Sequence, residues 1–210
     1  MLAKISEWLD ERVGLRDNSR RKMGQAVPAH MFFYCFGGIS LFIIALQALT
    51  GVYMLFFYTP HPELALKSIE AMSNDGSFGW FFRNMHRWGA TVLLAAILTH
   101  VVTVFYQKAY RRPRELNWTS GVLQFLVVVL LLATGIILPW DWRAYWSFAL
   151  WVDYFETWPV VGDFLKNLLL DTFTINRAFV IHVLILPIVL VLLLRFHFAM
   201  VRRHGISEPL

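Results

Sequence analysis

Residues 80–106 read WFFRNMHRWGATVLLAAILTHVVTVFY, and this stretch decides the fold. It is long and apolar enough to cross a bilayer, which takes about 20 helical residues. Two histidines, His86 and His100, lie within it, 14 residues apart. Fourteen helical steps leave a net rotation of about −40° and a rise of about 21 Å, so both imidazoles face one side at two depths. An ionisable residue inside a membrane span is expensive and is a functional candidate by default.

Three more apolar runs, at roughly 31–58, 119–138 and 179–200, have similar length, and Pro139 stops the third. Of the 210 residues, 58% are hydrophobic and only 16% charged, too few charges to cover a soluble domain with this much apolar surface. Backbone groups in lipid must bond within their own segment, so the runs are predicted helices. The fold class is all-α: one integral membrane domain over 1–210, a four-helix bundle enclosing two stacked sites, with interfacial amphipathic helices. A single cysteine, Cys35, excludes an internal disulfide framework and any CxxC or CxxCH motif. Residues 1–21 mix charged and apolar residues, unlike a cleavable signal peptide. No segment is of low complexity, and nothing points to nucleic acid.

Basic residues orient the spans. Arg12, Arg16, Arg20, Arg21 and Lys22 precede the first span, Lys108, Arg111, Arg112 and Arg114 fill the second loop, and Arg202 and Arg203 follow the last span. The other two loops also carry Glu63, Glu70, Asp75, Asp153, Glu156, Asp163 and Asp171. Both termini are therefore expected on the cytoplasmic or stromal side. Leu2, Ile5, Trp8, Leu9 and Val13 recur at helical spacing, as in a helix lying on a membrane; a solvated tail is the alternative. Residues 160–173 read as a short amphipathic helix on the outer face.

The fourth span carries His182 and His197, 15 residues apart. The second and fourth spans run in parallel in this topology, so the four imidazoles form two pairs, His86 with His182 and His100 with His197. Two imidazoles leave a tetrahedral zinc site short of ligands, and no carboxylate or thiol lies at matching depth. A porphyrin needs only two axial ligands and tolerates apolar walls. A lone intramembrane histidine is more often a satisfied polar residue or a proton relay; four at matched depth favour two b haems. A transporter or proton channel using the histidines as relays is the reading from a different class, and it requires no haem absorbance.

Gly37 and Gly51 are 14 apart, as are Gly121 and Gly135, repeating the histidine spacing. A macrocycle edge pressed on a helix needs a position without Cβ. Ordinary small-residue helix packing is the competing account. Arg83 and Arg87 flank His86, and Arg177 precedes His182, so all three suit the propionates of the outer haem. Arg114, Arg202 and Arg203 could serve the inner haem or simply anchor the inner face.

Several stretches go beyond spacing: WLDERVGL (8–15), FFYCFGG (32–38), LQALTG (46–51), FGWFFRNMHRWGA (78–90), RRPRELNWTSGV (111–122), TGIILPWDWRAYW (134–146) and HFAMVRRHGISEPL (197–210). Together they resemble, over nearly the whole chain, the short cytochrome b of split cytochrome bc complexes, the cytochrome b6 type. The 15-residue spacing of His182 and His197 also resembles this type; the longer mitochondrial type has 14.

The resemblance implies that His86 and His182 ligate the low-potential outer haem and His100 and His197 the inner one. Arg83, Arg87 and Arg177 match arginines beside the outer haem. It further implies that Cys35 forms a single thioether to a third haem on the inner face; read without the resemblance, Cys35 is a buried small hydrophobe. The implied function is electron transfer from an outer quinol site, through the two haems, to an inner haem or quinone. The implied partners are a subunit IV-like chain completing the quinol site, a Rieske iron–sulfur protein, a cytochrome c-type subunit and membrane lipid, in a homodimeric complex. The chain has no PEWY-like motif and is expected not to be an enzyme alone. Residues 142–162 depart from the pattern in Trp151, Asp153, Tyr154 and Trp158, and the link from Leu170 to Asn176 is short. This departure favours a bacterial cytoplasmic membrane over a thylakoid. It also motivates a second reading, a b-haem anchor of another quinone-linked oxidoreductase without a Rieske protein.

Overall fold

The computed structural model describes residues 2–13, 35–76, 78–172 and 174–205. Arg16, Arg20, Arg21, Lys22, the expected start of the first span at 31–34, Phe173 and residues 206–210 lie outside the described residues. Among the described residues there is no strand. The helices are α1 (Leu2–Val13), α2 (Phe36–Leu55), α3 (Ala65–Asn74), α4 (Gly79–Tyr106), α5 (Glu115–Ile137), α6 (Trp142–Glu156), α7 (Gly162–Thr172), α8 (Ile175–Val180) and α9 (Leu186–His204).

Four helical stretches are long and apolar enough to cross a membrane: Phe36–Leu55, Gly79–Tyr106, Glu115–Ile137 and Ile175–His204. They correspond to the four expected spans, with shifted ends. The third begins at Glu115 rather than 119, because Glu115 in the first turn complements the helix dipole. The fourth extends to Arg202, Arg203 and His204, and the two arginines are cations favoured in a last turn. Large apolar side chains such as Phe42 (69% exposed) and Leu192 (62%) point away from the protein, as lipid-facing residues do.

The fourth stretch is not uniformly α-helical. Residues Ile181–Ile185 form a π turn, and the Leu186 N–H donates to the Ile181 carbonyl, five residues back. Pro187 explains the wide turn. Proline has no N–H, and in an α-helix its ring would collide with the carbonyl four residues earlier, that of Val183. A π bulge adds one residue without advancing the helix. The extra residue in the 15-residue spacing of His182 and His197 falls here.

The chain divides into two compact units: Met1–Phe42, Leu93–Val128 and Val189–Leu210 form one, and Ile43–Val92 with Val129–Ile188 form the other. In the first, Leu93, Ala96, Ile97, Val128, Leu190 and Met200 are buried. Its amphipathic α1 forms as expected, but its most buried described side chain is Arg12, at 2% exposure, while Ile5 and Trp8 stay exposed. Arg12 bonds Glu115 at 2.7 Å and the Trp8 carbonyl at 3.1 Å, and its guanidinium lies 4.2 Å from the Trp8 ring centre. Arg112 pairs with Glu11 at 2.8 Å, and this hydrogen bond holds the Glu11 carboxyl below its ordinary pKa.

In the second unit, the first loop holds α3, which buries Ala65, Ile69 and Met72 along one face. A Cβ on Gly79 would collide with the Met72 carbonyl, so glycine admits α3 against the start of α4. Helix α6 occupies most of the segment that departs from the family pattern. Asp141 caps it by accepting from the Ala144 N–H at 2.9 Å. It pairs with α7 through Lys166 and Glu156 at 2.7 Å. The expected helix at 160–173 is α7, starting at Gly162.

Candidate metal centres

All four intramembrane histidines are half-buried. In the second unit, the His86 and His182 rings lie 6.3 Å apart, centroid to centroid, at an interplanar angle of 67°. A metal about 2 Å from each of two imidazole nitrogens, with about 1 Å more to each ring centre, requires roughly 6 Å between centroids. The observed separation would therefore suit a metal ion held by both imidazoles. In the first unit, His100 packs on Gly37 and His197 on Gly121. Among the described residues, no group of three or more His, Cys, Asp or Glu is assembled to hold a bare metal ion.

Each imidazole lies against one of the four spaced glycines. A Cβ would come 3.3 Å from His86 Cε1 on Gly51, 2.9 Å from His182 Cε1 on Gly135, 3.0 Å from His100 Cε1 on Gly37 and 3.4 Å from His197 Cε1 on Gly121. The ring of the candidate ligand itself takes the space that a side chain would need. This is a closer constraint than contact with a macrocycle edge.

Three hydroxyls, not singled out by the sequence reading, complete the geometry. Thr50 Oγ1 lies 2.9 Å from His86 Nδ1, Thr134 Oγ1 2.9 Å from His182 Nδ1, and Ser120 Oγ 2.9 Å from His197 Nδ1. Each hydroxyl also donates to a helix carbonyl at 2.8 Å, Thr50 to Leu46, Thr134 to Leu130 and Ser120 to Asn117. Its hydrogen is thereby committed, so it accepts from the imidazole N–H. Nδ1 then carries the proton, and the Nε2 lone pair is left for a metal. Each hydroxyl residue immediately precedes its glycine, a signal legible as TG, SG and TG at 50–51, 120–121 and 134–135.

The arginines are placed less tightly. Arg83 reaches Ser73 Oγ at 3.4 Å, Arg87 is exposed, and Arg177 bonds the Asp171 carbonyl. Arg114 bonds the His204 carbonyl at 3.2 Å, and Arg202 the Phe198 carbonyl at 3.3 Å. Cys35 is an exposed free thiol just before α2, not the buried hydrophobe that its residue type alone suggests.

Comparison with known proteins agrees with this architecture. Residues 22–205 match the family model described as Cytochrome b/b6/petB. The menaquinol:cytochrome c reductase cytochrome b subunit of Bacillus subtilis (strain 168) is 38% identical over 224 residues, covering 100% of both chains. Cytochrome b6 of Heliomicrobium gestii is 35% identical, covering 97% of this chain and 100% of its own. Among solved structures, a chain of a hyperthermophilic respiratory Complex III superposes with a TM-score of 0.81 at 31% identity, over 97% of this chain. This chain spans only 56% of that one's length. With four apolar helices and this match over most of its length, the chain is an integral membrane protein of the cytochrome b/b6 family.

Proposed function

We propose that this chain is the transmembrane electron-transfer subunit of a quinol-oxidising complex of the bc or b6f kind. It carries electrons from an outer quinol site through two bis-histidine haem sites to an inner haem or quinone site. The observation that carries this reading is the 6.3 Å separation of the His86 and His182 rings in a chain of the cytochrome b/b6 family. His86 and His182 would hold one b haem, and His100 and His197 the other. When bound, each haem iron supplies reversible one-electron chemistry.

The chain's own residues orient, insulate and tune. Gly37, Gly51, Gly121 and Gly135 admit the imidazoles against α2 and α5. Arg83, Arg87 and Arg177 would neutralise propionates at the outer site, and Arg114 and Arg202 at the inner one. Apolar helix faces exclude water and lower the local dielectric, which strengthens each of these charge interactions. Cys35, exposed and close in sequence to Gly37, is available to a third haem through one thioether.

The relatives' names support a quinol donor and a cytochrome c-type acceptor for the whole assembly. A subunit IV-like partner would complete the quinol site. A Rieske protein, a homodimeric complex and a bacterial cytoplasmic membrane with both termini inside complete the proposal.

A pyridine haemochrome of the purified complex should give about two b haems per chain. Absence of haem would reject the reading in favour of a relay channel. Purification without an iron–sulfur protein would favour a haem anchor of another oxidoreductase. Haem staining after denaturing electrophoresis should mark this chain, and Cys35→Ser should abolish the stain; an unstained wild-type band would remove the third haem.

A further inference from the structure

The four candidate ligands are not equivalent. His86, His182 and His197 each meet a hydroxyl at Nδ1, supplied by the residue before the glycine on which the ring packs. At the fourth place the residue before Gly37 is Phe36, which has no hydroxyl to offer. Ser40, one turn further on, is buried, yet its Oγ has no hydrogen-bond partner in the structure, so it does not substitute. No described residue hydrogen-bonds the His100 ring.

We infer that Thr50, Thr134 and Ser120 are positioning residues that set how strongly each imidazole donates to iron, and that Phe36 makes His100 the one weaker donor. This rests on reading the two histidine pairs as haem sites. A hydrogen bond from Nδ1–H to an oxygen leaves more electron density on Nε2 and raises ligand basicity. A more basic axial ligand stabilises ferric over ferrous iron and lowers the reduction potential. Among the described residues, the His86/His182 site has a hydroxyl bond on both ligands and the His100/His197 site on one. The hydroxyl pattern therefore makes an electron prefer the His100/His197 site, and Phe36 is the position at which the pattern breaks.

The test is a potentiometric titration of the intact complex, followed at the absorbance band of each haem. Phe36→Ser supplies the missing hydroxyl with the same one-residue offset. It should lower the potential of the His100/His197 haem by about tenfold in the reduction equilibrium, ~59 mV for one electron. Phe36→Ala, which removes the ring but adds no hydroxyl, should not. Ser120→Ala should raise the same potential, and Ser120→Thr should restore it. Thr134→Val should raise the potential of the His86/His182 haem alone, and Thr134→Ser should keep it. Unmoved potentials in Phe36→Ser and Ser120→Ala, with both haems retained, would overturn the inference. If one of these variants fails to bind haem, the other decides. Absence of haem from the wild-type chain would instead sink the haem reading itself, and the haemochrome detects that before any titration.

Discussion

His86, near the start of α4, and His182, inside the π turn before α9, present their rings 6.3 Å apart. Neither ring can then lose its imidazole without opening one side of the same site. His86→Leu and His182→Leu should each remove the same spectral haem and leave the other. His100→Leu and His197→Leu should remove the second. Retention of both spectra in any of the four would break the pairing.

The glycines make a graded prediction. Gly135 and Gly37 leave 2.9 and 3.0 Å between a new Cβ and a ring carbon, whereas Gly51 and Gly121 leave 3.3 and 3.4 Å. Overpacking of this kind costs about 1–3 kcal/mol. Alanine at 135 or 37 should lower haem occupancy, read by haemochrome, well below that with alanine at 51 or 121. Equal occupancy across the four would contradict the ring contacts.

Arg12 of α1 pairs with Glu115 at 2.7 Å, with the arginine buried and the carboxylate about a third exposed. Removing one partner of a fully buried pair costs about 3–5 kcal/mol, and partial exposure of Glu115 reduces this to about 2 kcal/mol. Arg12→Ala should speed proteolysis within residues 2–13 and lower the thermal midpoint. Glu115→Gln, which keeps an acceptor oxygen, should have a smaller effect.

The hairpin of α6 and α7 should be sensitive to base. The hydrogen bond to Glu156 raises the Lys166 pKa above its ordinary 10.5. A raised pKa means that the contribution is fully present below 10.5 and is lost as pH climbs through the higher folded value. Beyond the base catalysis common to all amides, protection of residues 142–172 should fall over that range in the wild type. In Lys166→Gln this extra loss should be absent; an identical profile would show that the pair does not hold the hairpin.

The four spans and the histidine pairs were legible because long apolar runs and fourteen-step spacings are properties of sequence alone. The hydroxyls at 50, 120 and 134 were visible as letters, but nothing in periodicity distinguishes them from threonines and serines that bond their own helix. Only the ring placement assigns them to imidazoles. The π turn was present as two separate facts, a spacing of 15 and Pro187, which become one cause once the Leu186 bond is seen. Helices α3 and α6 escaped a search for long apolar runs because each buries only a narrow face. The burial of Arg12 ran against the rule that charges at a span's end face water, and Glu115, 103 residues away, is its reason.

The contacts that hold α1 come also from the other end of the chain. Arg203 donates to the Asp10 carbonyl at 2.8 Å, and His204 Nε2 lies 2.8 Å from the Arg12 carbonyl. A ribosome delivers residues 10 and 12 well before residues 203 and 204. Helix α1 is thus made long before the last of its described partners, and its hold is completed only when the end of α9 is in place. A nascent chain stalled before residue 203 should hold α1 through Glu115 and Arg112 alone, and leave it more open to protease than a chain that carries residues 203 and 204.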